Sequence, residues 1–461
     1  MLRARRVSHM KRIELYRMVV EGDRILYEIV QDAGVGLLKQ DRVKLFVRFH
    51  NLESVHVDLN KIPQSILAVP ISLYLLPLTY FYKIELVLPT IDKMLYGRLP
   101  DIYAAYSNVY GPFKEEWRGK LTVKTIADTP AKDDEAYDKV VFFSGGVDAC
   151  SAGINNPGRK TLLVSIPDIE ILAKNEGPLR EEKFSLIRAF SSVINSDWVL
   201  ISNNFNAALF NDHEIKKELR TQKGLCSPAF EFDGWLGMKF LANMCCVAPL
   251  AYALGVKDLI MGSGFSQIED RYNLNDDGAH PSLSNSIAFS GVRFGDQDGL
   301  YTRRTMKVSN IIKWCNSHGK RVKLWTCFCD KSSQCGVCHK CVRTQLNILC
   351  AGENPKNWGF ENFDEKKFSH FMYWYRYYEK NPCFLWDVVD AIDTKRGYVC
   401  CNHMLHWLKR IGYKEYMKRA RSRIVWLNRF RRIIRIFYVH KYPHYMKRIC
   451  ERLVKCLKSE R

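Results

Sequence analysis

The chain has 461 residues, 47% of them hydrophobic, and a formal net charge of +21. That is enough apolar material for two or three packed domains, and it excludes global disorder. The charge is confined: residues 395–461 carry 20 lysines and arginines against three acids (Glu415, Glu451 and Glu460), a net +17, so the body before them is close to neutral.

The opening "MLRARRVSHMKR" is basic but leads into no apolar h-region, so no signal peptide is expected. The sixteen cysteines are accordingly read as cytosolic thiols of a cytoplasmic protein, not as a disulfide framework. From there to about residue 135, the short runs "RILYEIV", "VKLFVRF", "VHVDL", "KIELVL" and "LTVKTI" alternate with turn residues and predict a β-rich N-terminal domain over 1–135. The apolar stretch "ILAVPISLYLLPLTYFY" (66–82) is interrupted by Pro70 and Pro77 and closed by Lys83, short of the ~18 residues a membrane span needs. "DTPAKDDEAYD" (128–138) reads as a linker.

Strand-like runs follow at 139–143, 161–166, 197–202, 257–262 and 321–327, separated by helical stretches such as "EEKFSLIRAFSSVI" and "MKVSNIIKWCNSHG". Alternating β and α predicts an α/β fold with a doubly wound parallel sheet over 136–360, followed by a helical, strongly basic region over 361–461. Ligands in such sheets bind beyond the carboxyl ends of strands. Ser144-Gly145-Gly146 and Gly262-Ser263-Gly264 sit at two such ends and are expected to face one cleft.

The first of these ends carries a chemical signal. Val140, Val141, Phe142 and Phe143 suit a buried parallel strand, and the run stops at Ser144-Gly145-Gly146-Val147-Asp148, with small residues opening a helix behind it. Adjacent glycines let backbone N–H groups approach a ligand, and a helix N-terminus favours an anion, so the pattern points to phosphate. The Walker spacing nearly occurs at Gly153–Thr161, but Arg159 breaks it, Pro157 stiffens it, and the stretch precedes a strand. A second signal is "LWTCFCDKSSQCGVCHKCVRT". Cys335, Cys338 and Cys341 at double C-x2-C spacing, with one upstream thiolate, form the four-sulfur set of a structural Zn²⁺; an iron–sulfur cluster is the alternative.

Ser-Gly-Gly-Val-Asp closely resembles the S-G-G-x-D-S signature of the PP-loop ATP pyrophosphatase superfamily, with Ala149 where that family has serine and Ser151 as the nearest substitute. Together with the cysteine set, it resembles the 7-cyano-7-deazaguanine synthase family over residues 136–352, and more closely a synthase-like branch with Trp235, Gly237, His280, Pro281, Asp298, Gly299, Arg303 or Arg304, and Lys307. The family's W-S-C motif matches Trp325-Thr326-Cys327, which favours Cys327 as first metal ligand, with Cys329 as the alternative.

The resemblance implies several roles. Ser144, Gly145 and Gly146 would bind the β- and γ-phosphates of ATP, Asp148 would hold Mg²⁺ or fix the loop, and Arg304 and Lys307 would offset charge as pyrophosphate leaves. Val147, Ile166 and Gly262 would complete the nucleotide site, and Asp168, Asn204 and His280 are further candidates. The chemistry implied is adenylation of a carboxylate, with AMP and pyrophosphate as products and an amide, nitrile or related conjugate to follow. The synthase's own pocket segment is replaced by "GSGFSQIEDRYNLNDDGAHP", so the substrate is left open.

In the tail, Trp426, Phe430, Ile433 and Phe437 share one helical face, and Arg431, Arg432 and Arg435 face away. Packing on the body, RNA or DNA, and an anionic membrane surface are the three expected uses, and a second copy of the chain is a further candidate partner. A macromolecule-modifying ligase of a bacterial defence or conjugation system and an inactive nucleotide-binding scaffold stand as rivals to the carboxylate-adenylating enzyme.

Overall fold

In the computed structural model the described residues are 10–110, 115–132, 136–167, 178–221, 235–264, 280–295, 297–327, 334–375, 382–391, 407, 409–416 and 418. Asp168, Cys329 and the amphipathic run 426–437 lie outside them. The chain divides into two compact units, 1–362 and 363–461.

The first unit is built on one eleven-stranded sheet. Its strands in chain order are β1 (Lys11–Glu21), β2 (Arg24–Gln31), β3 (Arg42–His50), β4 (Ile84–Asp92), β5 (Lys120–Ala127), β6 (Lys139–Phe142), β7 (Thr161–Ser165), β8 (Asp197–Asn203), β9 (Asp258–Ile260), β10 (Ala288–Phe289) and β11 (Val292–Phe294). The spatial order is β10-β11-β9-β6-β7-β8-β3-β2-β1-β4-β5. Strands β9, β6, β7 and β8 run parallel, as does β11 beside β9. Their sequences explain why: β7 is buried along its whole length and β6 nearly so, as strands covered on both faces must be. By contrast β2 and β3 alternate buried and partly exposed residues and pair antiparallel.

The sequence separates 1–135 from 136–360; the structure joins them. β3 pairs antiparallel with β8, from Val47 opposite Asn203 to His50 opposite Leu200, so the N-terminal strands extend the same sheet and share its core. The linker stretch has no regular structure among its described residues. Two expected strands are absent. "VHVDL" (55–59) is instead the end of one 3-10 turn and the start of another, because Asn51 and His56 adopt left-handed φ of 64° and 53°. Residues 321–327 run without a ladder. Strand β1, with a bulge between Leu15 and Arg17, and the two short strands β10 and β11 were not evident in the sequence.

The apolar stretch near residue 70 forms α1 (Val69–Phe81), buried at every position against β4 and the segment 235–247. Pro70 sits in its first turn, where no donor is lost, and Pro77 lies inside it. No helix among the described residues is long and apolar enough to cross a membrane. The helices that matter for the site are α2 (Val147–Asn155), α3 (Pro178–Ile194), α4 (Arg304–Ser317) and α5 (His339–Cys350). Two further helices, Trp235–Met244 and Ala248–Ala253, are joined by a 3-10 turn at Cys245–Val247. In the second unit Glu365–Tyr375 and Pro382–Ala391 are helical, as are residues 409–416, and Trp386 packs its ring on Tyr413 and Tyr416.

Candidate functional site

Chain order along the parallel strands reverses between β6 and β9: β7 and β8 succeed β6 on one side, and β9 lies on the other. A crevice opens at the carboxyl ends of strands where the order reverses. Both glycine-rich turns lie there. Phe143 continues the β6 ladder through its N–H to the Val164 carbonyl, at 2.8 Å, and the chain then turns. Ser144 is exposed, and its hydroxyl accepts a long hydrogen bond from the Gly146 N–H at 3.4 Å. Gly145 has φ of +83°, a conformation only glycine adopts readily. A side chain there would also run into Leu186 of α3 and Trp325. Gly146 caps α2 and offers no side chain to its first turn, so the positive end of the helix dipole is turned toward the crevice.

Asp148, in that first turn, forms the centre of the site. One carboxylate oxygen is bonded by the Arg304 guanidinium, the other by Lys307 Nζ at 3.1 Å. Lys307 is almost wholly buried (2% exposed), and its ammonium also donates to the Ser263 carbonyl. Burial pushes the Asp148 carboxyl up, but Arg304 and Lys307 outweigh it and hold the group below the usual carboxylate range. Arg304 and Lys307 lie in the first turns of α4, where the helix dipole disfavours cations. Asp148 offsets that conflict, and such a conflict between local preference and observed placement is characteristic of functional sites.

The second turn closes the arrangement from β9. A Cβ on Gly262 would overlap the Asp148 backbone, so glycine there permits two main chains to touch. The segment is fixed by Ser263 N–H to the Asp298 carbonyl and Asp298 N–H to the Met261 carbonyl, both 2.9 Å. Gly299, at φ +68°, leaves room for the Lys307 stem. Burial raises the Asp298 carboxyl, which accepts from Asn155 Nδ2 at 3.0 Å and feels Lys307 as a partial offset.

Of the other candidates, Val147 is buried and Ile166 partly exposed beyond the end of β7. Ala149 is buried and so is Ser151, whose hydroxyl does not stand on the exposed side of the loop. Asn204 spends its amide on β3, accepting from Phe46 N–H at 2.9 Å and donating to Lys44 O at 3.3 Å. His280 caps the short helix Pro281–Asn285 by accepting from Ser282 N–H.

The cysteine set converges. The sulfurs of Cys327, Cys335, Cys338 and Cys341 all lie within 4.8 Å of one another, and this group can hold a metal ion. Cys335 and Cys341 sulfurs are 3.9 Å apart, close to the edge of about 3.8 Å that a tetrahedron with metal–sulfur bonds of about 2.3 Å requires. Cys335 and Cys338 N–H groups point at neighbouring sulfurs, at 3.5 and 3.2 Å, as hydrogen bonds to thiolates do. Its hydrogen bond to Cys338, then burial, push the Cys341 thiol well up, the cost of gathering thiolates that an entering cation reverses. None of the described cysteines forms a disulfide.

Two residues escaped the sequence. Trp325 N–H donates to the Gly145 carbonyl at 2.7 Å, and Gln334 holds the chain on both sides of Trp325. Trp325 was visible only as part of the W-S-C match, and nothing in the pattern marked Gln334. No protein-family model, curated protein or solved structure matches this chain.

Proposed function

We propose that the chain is a PP-loop enzyme that binds ATP at Ser144–Asp148 and adenylates a carboxylate. The observation that supports this most is one crevice, at the reversal of strand order, gathering a glycine turn, the open start of α2 and a carboxylate holding two cations. The β- and γ-phosphates lie on the N–H groups of the turn and of α2, beside Arg304 and Lys307. The substrate carboxylate oxygen attacks the α-phosphorus as the bond to the bridging oxygen of pyrophosphate breaks, and the electron pair leaves with pyrophosphate. A nitrogen nucleophile then displaces AMP from the acyl adenylate. Little proton transfer is needed; the protein's part is position and preorganised positive charge.

Asp148 acts here by holding Arg304 and Lys307 in place. Both its oxygens are engaged, so it does not fit as a direct ligand of Mg²⁺, which would be held by the phosphates of the nucleotide itself. The four thiolates fit Zn²⁺, which would be held in a closed site and supply rigidity. On composition the basic 395–461 region is proposed to bind RNA or DNA. Its deletion should remove salt-sensitive nucleic-acid binding without touching ATP binding, and a truncated chain that is insoluble would mean that the region packs on the body instead.

The test is incubation of the zinc-loaded protein with ATP, Mg²⁺ and a panel of carboxylates, with nucleotides separated by chromatography. AMP and pyrophosphate are expected. ADP and phosphate would overturn the reading. A nucleotide that binds but stays intact with every carboxylate would favour a scaffold, the reading to which the buried Ala149 in place of serine lends weight.

A further inference from the structure

The contact between Trp325 and Gly145 links two sites that lie far apart in sequence. The loop carbonyl at Gly145 accepts from Trp325 N–H at 2.7 Å, and this bond sets the tilt of the peptide that follows, whose N–H belongs to Gly146. Gly145 holds a left-handed φ of +83°, and a Cβ built there would overlap Leu186 and stand 3.1 Å from the Trp325 Cβ, so the loop is packed closely against both side chains. The direction in which the loop aims its donors therefore depends on where the backbone of Trp325 stands.

Trp325 is placed from the cysteine cluster. Two residues after it comes Cys327, a member of the set. On the other side stands Gln334, adjacent in chain to Cys335 and nearly buried. Its Oε1 accepts from Thr326 N–H at 2.9 Å and from Thr326 Oγ1 at 3.1 Å; its Nε2 donates to Leu324 O and Gly359 O, both at 2.8 Å. All of its amide capacity goes to bracketing Trp325 and tying that bracket to the turn after Trp358. Cys335 N–H closes the circuit on Cys327 Sγ at 3.5 Å. A metal ion that drew the four sulfurs together would fix Cys327, two residues beyond Trp325, and Cys335, the chain neighbour of Gln334, and hence the bracket that holds Trp325.

We propose that the cysteine metal centre positions the anion-binding loop through Gln334 and Trp325, so that metal occupancy governs affinity for a diphosphate at Ser144–Asp148. This rests on the reading of that loop as a phosphate site. Gln334 and Trp325 are positioning residues: neither is a metal ligand, and they act through Gly145. The arrangement makes loss of metal a way to release nucleotide from a folded sheet.

The test uses the full-length protein, with inorganic pyrophosphate as probe in titration calorimetry and amide hydrogen exchange of the loop as a readout free of ligand. Gln334→Met keeps the four thiolates and removes the bracket. It is expected to retain wild-type zinc content by elemental analysis, bind pyrophosphate about tenfold more weakly, and exchange the amides of 144–148 faster, the scale of one lost hydrogen bond. Removing zinc from the wild type should do the same, reversed by adding zinc back, while amides of β1–β3 stay protected. Should chelation expose β1–β3 as well, the Gln334 variant decides; should that variant fail to fold or lose its zinc, the wild-type zinc titration decides. Affinity and loop exchange that ignore both zinc and Gln334 overturn the proposal. Loop exchange that follows zinc in a protein unable to bind pyrophosphate would retain the coupling and overturn the phosphate reading instead.

Discussion

Two aspartates in opposite halves of the sheet, one closing a strand and one in the helical turn that follows another, have opposite partners. Asp92 ends β4, is 1% exposed, and accepts from the N–H groups of Leu95 (3.0 Å) and Ser290 (3.2 Å) and from the Ser290 hydroxyl (2.6 Å). All its donors are neutral. Asp148 follows β6 and is met by two cations, Arg304 and Lys307. Asp92 ties β4, near one end of the strand order, to the turn between β10 and β11 at the other end, so the sheet curls until its ends are joined. Asp148 joins nothing of that kind; it collects positive charge where strand order reverses. A carboxylate at a strand end thus carries no function by itself. Its partners decide whether it is a rivet or part of a binding site.

Breaking the charged cluster should have the larger effect. Lys307→Met removes a buried ammonium, leaves one Asp148 oxygen facing the interior without its cation, and strips the Ser263 carbonyl of its donor. Loss of one partner from a buried pair costs about 3–5 kcal/mol, to be read from the denaturation midpoint. An unchanged midpoint would mean that Asp148 is solvated after all. Asp148→Asn comes next. It keeps the shape but loosens both cations, and AMP formation should fall about 10²-fold, the scale for losing preorganised charge at a reacting centre. A rate within twofold of wild type would remove Asp148 from the site.

Asp92→Asn sharpens the contrast from the other side. Its amide cannot accept every bond that the carboxylate accepts, so stability should fall by about 1–3 kcal/mol. Pyrophosphate affinity per folded molecule should not move, because the loop and its cations touch no atom of this rivet. A variant that loses affinity while remaining folded would show that curling of the sheet, and not only the Asp148 cluster, shapes the crevice.

How far this contrast is legible in the sequence depends on how local each feature is. The turn at Ser144–Asp148 is local: an apolar strand, two glycines and an acid stand in one stretch, and Gly145 does take the left-handed conformation that such a turn demands. The cysteine set is legible because ligand spacing is itself a chemical constraint. The glycine at 145 is needed for a reason the motif does not give, since its Cβ would meet Leu186 and Trp325 and not a phosphate. The joining of β3 to β8 could not be read, because pairing between strands some 150 residues apart leaves no mark on either beyond alternation. "VHVDL" misled for the same reason: alternation is a strand signal only where the backbone stays extended, and Asn51 and His56 break it with left-handed turns. Gln334 is invisible because its meaning lies wholly in four tertiary hydrogen bonds.

The smallest effect near neutral pH is also the most specific to Asp148. The Asp148 carboxyl is held below its usual range in the folded chain, whereas an unfolded aspartate titrates near 3.9. A group whose folded value is depressed contributes stability that is fully present above the unfolded value and is lost as pH falls through the folded one. Between pH 7 and pH 5 the cluster should therefore leave stability flat. Below about pH 4 the unfolded chain takes up the proton before the folded chain does, and stability should decline until Asp148 itself is protonated. Asp148→Asn has no proton to bind, so the difference in unfolding free energy between wild type and variant should narrow as pH falls through this window, with Asp92 and every other carboxylate common to both. Denaturation of the two proteins at matched pH values reads that difference directly. A gap that stays constant from pH 5 down to pH 3 would mean that Arg304 and Lys307 do not hold Asp148 ionised, and the distinction between the two aspartates would rest on geometry alone.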